Sequence, residues 1–362
     1  MRLLILLGVC LTAFGDWMDE QITSDLAAFP PKSISKEALR ETMKNPRIAN
    51  WHAELALAEI RGGKMEILEM IYTGWDYVKG RMETFVKEVN QWQSQEPEDK
   101  RLPDTLMLLS FGDGLDISCC KGLIYPDELK VPLFVFSKRV GSSKLVLIPD
   151  HGAMTARRGV VRGVKSGSAA FPWKNKEELL FWRGSATDGE YRLMSWKKRP
   201  RAKLTLLSVA KPQLIDAGLT SLPQVMGDDV MDDILKQTGG LKKIRSIHDH
   251  MRYKYLMDID GNSNGWDRCF WGLLSNSALF KQVTDFSQWY YKALKPWVHF
   301  VPVKKDLSDL EEKIAWAKSH DGKVCAIAEE GRKVAQEIFR REAVFEYMRR
   351  LLTAYNERLV SN

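Results

Sequence analysis

Phe181-Trp182-Arg183-Gly184-Ser185-Ala186-Thr187-Asp188-Gly189 is an apolar run that stops abruptly in arginine, glycine and hydroxyl side chains. Glycine lets a backbone approach an anion with no Cβ in the way, and arginine offers a fixed fork of donors to which serine and threonine add hydroxyls. On its own the stretch fits a polar turn whose arginine pairs at the surface better than a phosphate grip. A second stretch changes that balance: Arg252-Tyr253-Lys254-Tyr255-Leu256-Met257-Asp258-Ile259-Asp260-Gly261-Asn262-Ser263-Asn264-Gly265-Trp266-Asp267-Arg268. Its tyrosines and isoleucine predict a strand, its glycines and asparagines a loop, and Arg268 opens a helix predicted over 268–280. Strand, glycine-rich loop and helix together present backbone N–H groups and a helix dipole to a phosphate. Arg183, Gly184, Ser185, Thr187, Gly261 and Arg268 are therefore the candidates for gripping one diphosphate.

Outward from these loops the pattern is α/β. Apolar strands are predicted at Thr105 to Ser110, Leu133 to Phe136, Leu145 to Ile148, Leu179 to Trp182, Tyr253 to Ile259 and His299 to Val303, while Ser277 to Phe280 reads either as a strand or as the close of the preceding helix. Between Lys36 and Trp92 the apolar residues Leu55, Ile60, Ile67, Ile71, Trp75, Val78 and Met82 recur at helical spacing, so helices are expected there. A helix is predicted from Leu307 to Ser319, capped by Asp306 or Ser308, and a long amphipathic helical region from Glu329 to Arg358. The expected organisation is an apolar segment over 1–20, a helical plus α/β domain over 21–172, an α/β domain over 173–335 and a final helix over 336–362.

Composition bounds the partners. The 362 residues carry a formal net charge of +7, with basic clusters at Arg157, Arg158, Arg162 and Lys165 and at Lys197, Lys198, Arg199 and Arg201. Such clusters suit a nucleotide diphosphate, a phosphorylated glycan or an anionic membrane to which the protein attaches peripherally; they equally suit a solvated basic loop. Nucleic acid is not expected, because no aromatic residues interleave the basic runs as stacking platforms. The five cysteines, Cys10, Cys119, Cys120, Cys269 and Cys325, are odd in number and contain no C-x-x-C, so neither a zinc site nor a disulfide framework is indicated. Arg2, the apolar run Leu3 to Phe14 and the Ala13-Phe14-Gly15 site point to a secretory signal, or to an apolar helix that docks on the domain or on a membrane surface.

Taken in order, several segments resemble glycosyltransferase family 90, which includes the Rumi protein O-glucosyltransferases and bacterial lipopolysaccharide-modifying enzymes. They are Leu102-Pro103-Asp104 with the apolar strand ending at Asp113, Pro132-Leu133-Phe134-Val135-Phe136-Ser137-Lys138, Pro172-Trp173-Lys174, Trp182-Arg183-Gly184-Ser185, Tyr253-Lys254-Tyr255, Leu294-Lys295-Pro296-Trp297-Val298-His299-Phe300-Val301-Pro302-Val303, and Asp306-Leu307-Ser308-Asp309-Leu310. The resemblance covers roughly Leu102 to Leu359. It implies a GT-B architecture, two Rossmann-like domains facing a cleft with a C-terminal helix crossing back. It also implies an inverting, UDP-sugar-dependent O-glycosyltransferase needing no cofactor. Set against the disulfide-bearing lumenal members of the family, the cysteines of this chain imply instead of secretion a reducing, cytoplasmic setting. The first expected acceptor is a lipopolysaccharide or other surface glycan, lipid-linked or free; the alternative is a Ser or Thr on a folded protein domain. A protein that keeps the cleft without turnover is the rival from another class.

Sugar transfer needs a base for the acceptor hydroxyl and positive charge for the departing diphosphate. Asp113 matches the family's aspartate, with Gly112 standing where relatives carry an arginine, so a neighbouring charge is expected to be missing; Asp104 and Asp116 compete for the role. Arg183 and Arg268 match its nucleotide-binding arginines. Asp258-Ile259-Asp260 on its own is how the GT-A architecture presents carboxylates to a divalent metal. The resemblance implies a metal-independent enzyme and leaves these two aspartates a structural or ribose-side role. His248, His250 and His299 lack a third ligand at useful spacing and are expected to be ordinary core or surface histidines. Trp289 and Trp297 are expected to pack in the core.

Overall fold

The computed structural model describes residues 17–44, 54–71, 76–113, 129–155 and 157–360. The apolar start through residue 16, Trp75, Gly114, Asp116, Cys119 and Cys120 lie outside the described residues. Contacts divide the chain into two compact units, the first formed by Met1–Ala156, Phe286–Ala293 and Ile338–Asn362, the second by Arg157–Asp285 and Leu294–Glu337. Among the described residues no helix is long and apolar enough to cross a membrane.

In the first unit lie β1 (Leu55–Arg61), β2 (Lys64–Met70), β3 (Thr105–Ser110), β4 (Leu133–Val135), β5 (Lys138–Arg139) and β6 (Leu145–Leu147). The main sheet has the order β2-β1-β3-β4-β6, antiparallel from β2 to β3 and parallel from β3 to β6. The β1–β2 hairpin corrects the expectation of helices across 36–92. Gly62 and Gly63 take φ of +58° and +76° between the paired Arg61 and Lys64, the two-residue turn whose twist matches that of its strands. The spacing of Leu55, Ile60 and Ile67 is helical by coincidence, whereas the Gly-Gly pair was the informative signal. Helices do form at Lys36–Met43 and Asp76–Gln95, and Asn90 of the latter makes two backbone hydrogen bonds to Met65 of β2, at 2.7 and 3.0 Å.

The expected long C-terminal helix is two, Asp321–Ile338 and Arg341–Asn356, separated at an extended Arg340. The second belongs to the first unit and is fixed to its sheet by buried tyrosines: Tyr347 donates to the Leu147 carbonyl at 3.0 Å and Tyr355 to that of Leu106 at 2.9 Å. Phe345 stacks on Trp92 with centroids 4.4 Å apart. Such ring pairs add about 0.5–1.5 kcal/mol beyond the area they bury, and a buried tyrosine hydroxyl needs a partner like these carbonyls. Trp289, in the returning segment of this unit, is core as expected, packed against Trp17 and Tyr347.

The second unit holds β7 (Glu177–Gly184), β8 (Ile215–Leu219), β9 (Tyr253–Asp258) and β10 (Ala278–Gln282); the short β11 (Phe286–Ser287) pairs with β5 in the first unit, and β12 (Val301–Val303) completes the second sheet. The sheet is parallel throughout, in the order β12-β10-β9-β7-β8. Numbered within the unit, that is 2-1-3-4-5. Buried on both faces, its strands read as near-continuous apolar runs: Leu180 and Trp182 share a cluster with Trp196, Leu204 and Ile234, while Phe181 on the other face stacks on Tyr253 and meets His250 edge-on. Helix Arg158–Ala170 goes with this unit because Gly163 and Gly167 let it lie close to the segment 247–251; a Cβ on Gly167 would meet the Met251 side chain at 2.6 Å.

The helix expected over 268–280 is Asp267–Leu274. Ser275 ends it, its hydroxyl donating to the Gly272 carbonyl at 2.7 Å and accepting from the Ser277 amide at 3.0 Å, so that 278–282 continues as a strand. Likewise the helix expected from Leu307 runs Leu310–Ser319. Asp306 accepts from the Ser308 amide in the preceding turn instead of capping it.

Candidate functional site

In a parallel sheet of order 2-1-3-4-5 the connections from the first and third strands leave in opposite directions, which opens a crevice at their carboxyl ends. Those strands are β7 and β9. The crevice therefore lies where β7 ends in Arg183-Gly184 and β9 in Asp258, so topology brings together the two loops singled out from the sequence.

Arg201 fastens the loops to each other. It sits in the first turn of helix Pro200–Ala210, and its guanidinium donates to the carbonyls of Ser185 at 2.8 Å and Asp260 at 2.7 Å and to the Thr187 hydroxyl at 2.6 Å. Gly261 must be glycine for this contact, since a Cβ there would lie 2.7 Å from an Arg201 nitrogen. The Asp188 carboxylate accepts from the Arg201 amide at 2.9 Å and so caps the helix from outside. Ser185 accepts from the Ser221 hydroxyl at 2.7 Å, and Gln224 donates to Asn262 at 2.9 Å. Arg201 appeared in the sequence only as one of a basic cluster. No local pattern marks it as the bridge.

The two predicted arginines have different tasks. Arg183 is buried and committed to β8: one nitrogen meets the Asp216 carboxylate at 2.7 Å, another the Asp216 and Trp182 carbonyls at 2.9 Å, and the guanidinium lies 4.5 Å from the Phe181 ring centroid. Arg268 donates to the Arg183 carbonyl at 2.6 Å and keeps part of its surface open to solvent. Its pKa falls to about 10, from burial first and from the Arg201 charge second, with Asp258 and Asp267 opposing. A guanidinium taken out of water beside a second cation is one that an incoming anion would stabilise. Arg268 also lies in the first turn of helix Asp267–Leu274, whose N-cap, Trp266, offers no side-chain cap and holds φ at +53°. Positive φ on a bulky residue is strained, and strain of this kind collects at ligand clamps.

Asp258 is buried in this wall and Asp260 is half-buried. Lys281 approaches Asp258 at 3.3 Å, and Thr284 donates to Asp260. Burial pushes Asp260 up to about 6, with Asp258 adding to the rise while Lys281, Thr284 and Arg201 oppose it. Among the described residues no group of three or more His, Cys, Asp or Glu side chains is placed to hold a metal ion. His250 is packed between Phe181 and Trp271, its Nδ1 2.8 Å from the Ser246 carbonyl, and His299 accepts from the Lys295 amide. Trp297, expected in the core, is instead 43% exposed.

Asp113 follows β3 in the first unit. Its carboxylate meets Arg81 of helix Asp76–Gln95 at 3.0 Å, and the same nitrogen of Arg81 donates to the Phe111 carbonyl at 3.1 Å. The charge expected to be missing beside Gly112 is thus supplied from another element. Asp104, a competing carboxylate, is occupied at the hairpin, accepting from the Gly62 amide at 2.9 Å.

The model of glycosyl transferase family 90 matches residues 98–362. Protein O-glucosyltransferase 3 of Mus musculus is 34% identical over 225 residues, covering 60% of this chain and 41% of the mouse protein; the Homo sapiens protein of the same name is 31% identical over 263 residues, covering 71% and 48%. The chain thus spans about half the length of these curated relatives. A crystal structure of a glycosyltransferase from Rickettsia africae aligns over 63% of this chain and 66% of its own at 10% identity, with a TM-score of 0.35, too low to bear on the fold.

Proposed function

The chain belongs to glycosyltransferase family 90, and we propose that it is an inverting, metal-independent O-glucosyltransferase that moves glucose from UDP-glucose to a Ser or Thr hydroxyl of a folded protein. The observation that carries this reading is the meeting of two arginine-bearing loops where the parallel sheet reverses its strand order. The acceptor departs from the first expectation. The relatives that resemble the chain are protein O-glucosyltransferases by name, which favours a protein over a lipopolysaccharide or surface glycan. The GT-B class implied by the resemblance is part of the proposal; in its favour, each unit carries a sheet with parallel strands.

In this mechanism Asp113, oriented by Arg81, takes the proton of the acceptor hydroxyl. The hydroxyl oxygen attacks the anomeric carbon opposite the nucleotide, the bond from that carbon to the diphosphate oxygen breaks, and UDP leaves with the added negative charge. Arg268 and the N-terminus of its helix meet that charge, while Arg201 adds a cation and holds the loops in register. Arg183 contributes through its carbonyl, which positions Arg268, and its Asp216 pair keeps its own charge compensated. One displacement needs no covalent intermediate and hence no second carboxylate as nucleophile.

The test is incubation of the full chain with UDP-glucose and a small folded domain displaying Ser or Thr. The expected result is one hexose added per acceptor with equal release of UDP. Transfer to a lipid-linked glycan but to no protein would overturn the acceptor; UDP binding without release under either condition would make the protein a non-catalytic binder.

A further inference from the structure

A surface of the second unit, separate from the chemistry proposed above and independent of it, carries charge that the fold does not compensate. Lys242, Lys243 and Arg245 lie in the loop before the short helix Ile247–His250, and Arg158, Arg162 and Lys165 on helix Arg158–Ala170. All six are exposed, and none makes an ion pair with a described residue. The two elements touch, since Ile247 packs on Gly163, with a Cβ there 3.4 Å from the isoleucine side chain. The five residue-to-residue steps from Lys242 to Ile247 span at most about 18 Å, so the cations form one patch. The loop is anchored at its start: the Lys242 amide donates to the Leu219 carbonyl at 2.8 Å, and its stem lies over Gly218, the β8 partner of Arg183. The acid in the patch, Asp249, is already engaged by Ser246 and His248.

Among these cations sit two apolar side chains that the fold leaves in water, Ile244 at 81% exposure and Leu241 at 48%. An isoleucine held out on a loop between Lys243 and Arg245 suits neither solvent nor a purely charged partner. It suits a bilayer interface, where an apolar tip enters among the acyl chains while lysine and arginine meet anionic headgroups. We infer that the loop 241–245 and the basic face of helix Arg158–Ala170 dock this protein on an anionic lipid surface. The β8 edge of the sheet, next to the β7 side of the crevice, then lies beside the bilayer.

Flotation of the full chain with vesicles of phosphatidylcholine alone, or with about one-third phosphatidylserine, tests this, with poly-glutamate as a lipid-free anion. Binding to the anionic vesicles is expected to exceed that to neutral ones and to weaken as salt rises to about 0.15 M. Replacing Lys243 and Arg245 together by alanine is expected to weaken it about 25-fold, about fivefold for each cation removed. Arg158→Ala with Arg162→Ala, on the rigid helix, should do the same even if the loop pair perturbs folding. Ile244→Ser is expected to weaken vesicle binding severalfold with poly-glutamate binding, UDP affinity and melting temperature unchanged. Equal binding to both vesicles, or unaltered vesicle binding in both charge variants, would overturn the proposal. So would charge variants that lose poly-glutamate and vesicles alike while Ile244→Ser loses neither, since that is the behaviour of a surface for an acidic protein.

Discussion

Beyond β3 one carboxylate, Asp113, meets one guanidinium, Arg81, at 3.0 Å. Beyond β7 and β9 three guanidiniums crowd among backbone carbonyls, and Asp216 compensates Arg183 alone. The difference is one of electrostatic purpose. A single acid held by a single cation is a carboxylate fixed in direction, with its charge balanced by one partner. Arg201 and Arg268, held by uncharged carbonyls and a hydroxyl, keep their net positive charge, and burial, with the Arg201 charge second, pulls Arg268 down to about 10. Carbonyl partners fix an arginine's position without neutralising it, which is what an anion site requires.

The comparison breaks most sharply at Asp113. Asp113→Asn is expected to lower glucose transfer at least about a hundredfold, the usual effect of losing a general base, and to leave UDP affinity by calorimetry nearly unchanged. Near-normal turnover in this variant would move the base to Asp116. On the other side, Arg268→Ala should weaken UDP binding by about 1.5–3 kcal/mol, the scale of a charge-assisted hydrogen bond lost. Arg201→Lys should also weaken it, because an ammonium cannot reach Ser185, Thr187 and Asp260 with one planar fork. Unchanged UDP titrations for both would remove the anion role from this crevice.

A smaller effect separates the arginines from the aromatic box behind them. Burial holds the His250 pKa down to about 4, with the charges of Arg268 and Arg183 helping and the Ser246 carbonyl opposing. Between about pH 6.5 and 4 the unfolded chain therefore takes up a proton that the folded one refuses, and about 3 kcal/mol of stability is lost as pH falls through that window. Asp260, raised to about 6, acts with the opposite sign: below about pH 6 the folded state binds the proton first, and stability rises as pH falls toward the ordinary carboxylate range. His250→Phe keeps the ring packing and removes the first term. Its stability relative to wild type, from urea unfolding, should therefore rise by about 2–3 kcal/mol between pH 7 and about pH 4.5. A difference independent of pH would mean that His250 is not held neutral.

The smallest expected effect is none. In the proposed mechanism arginines and a helix terminus supply the positive charge, so UDP release from UDP-glucose should persist after exhaustive chelation with EDTA. Complete loss restored by Mn or Mg would place Asp258 and Asp260 at the centre of the mechanism instead.

What the sequence determined on its own is the set of features encoded by neighbours in the chain. Thr105 to Ser110 and Tyr253 to Asp258 are apolar runs that only a strand buries well, and Arg183-Gly184-Ser185 and Gly261 to Gly265 are legible as loops because glycine, asparagine and serine break such runs locally. The Gly62-Gly63 turn is encoded just as locally, although the residues around it fall by accident at helical spacing. What only the tertiary structure decided rests on residues far apart in the chain. The 2-1-3-4-5 strand order set the two loops side by side, Arg201 bridged residues from Ser185 to Asp260, Asp216 claimed Arg183, and Arg81 restored the charge that Gly112 withholds from Asp113. A strand or a turn is favoured by its own few residues. The partner of a charge is chosen by whichever group the packing of the sheets brings within about 3 Å, and no pattern along the chain records that choice.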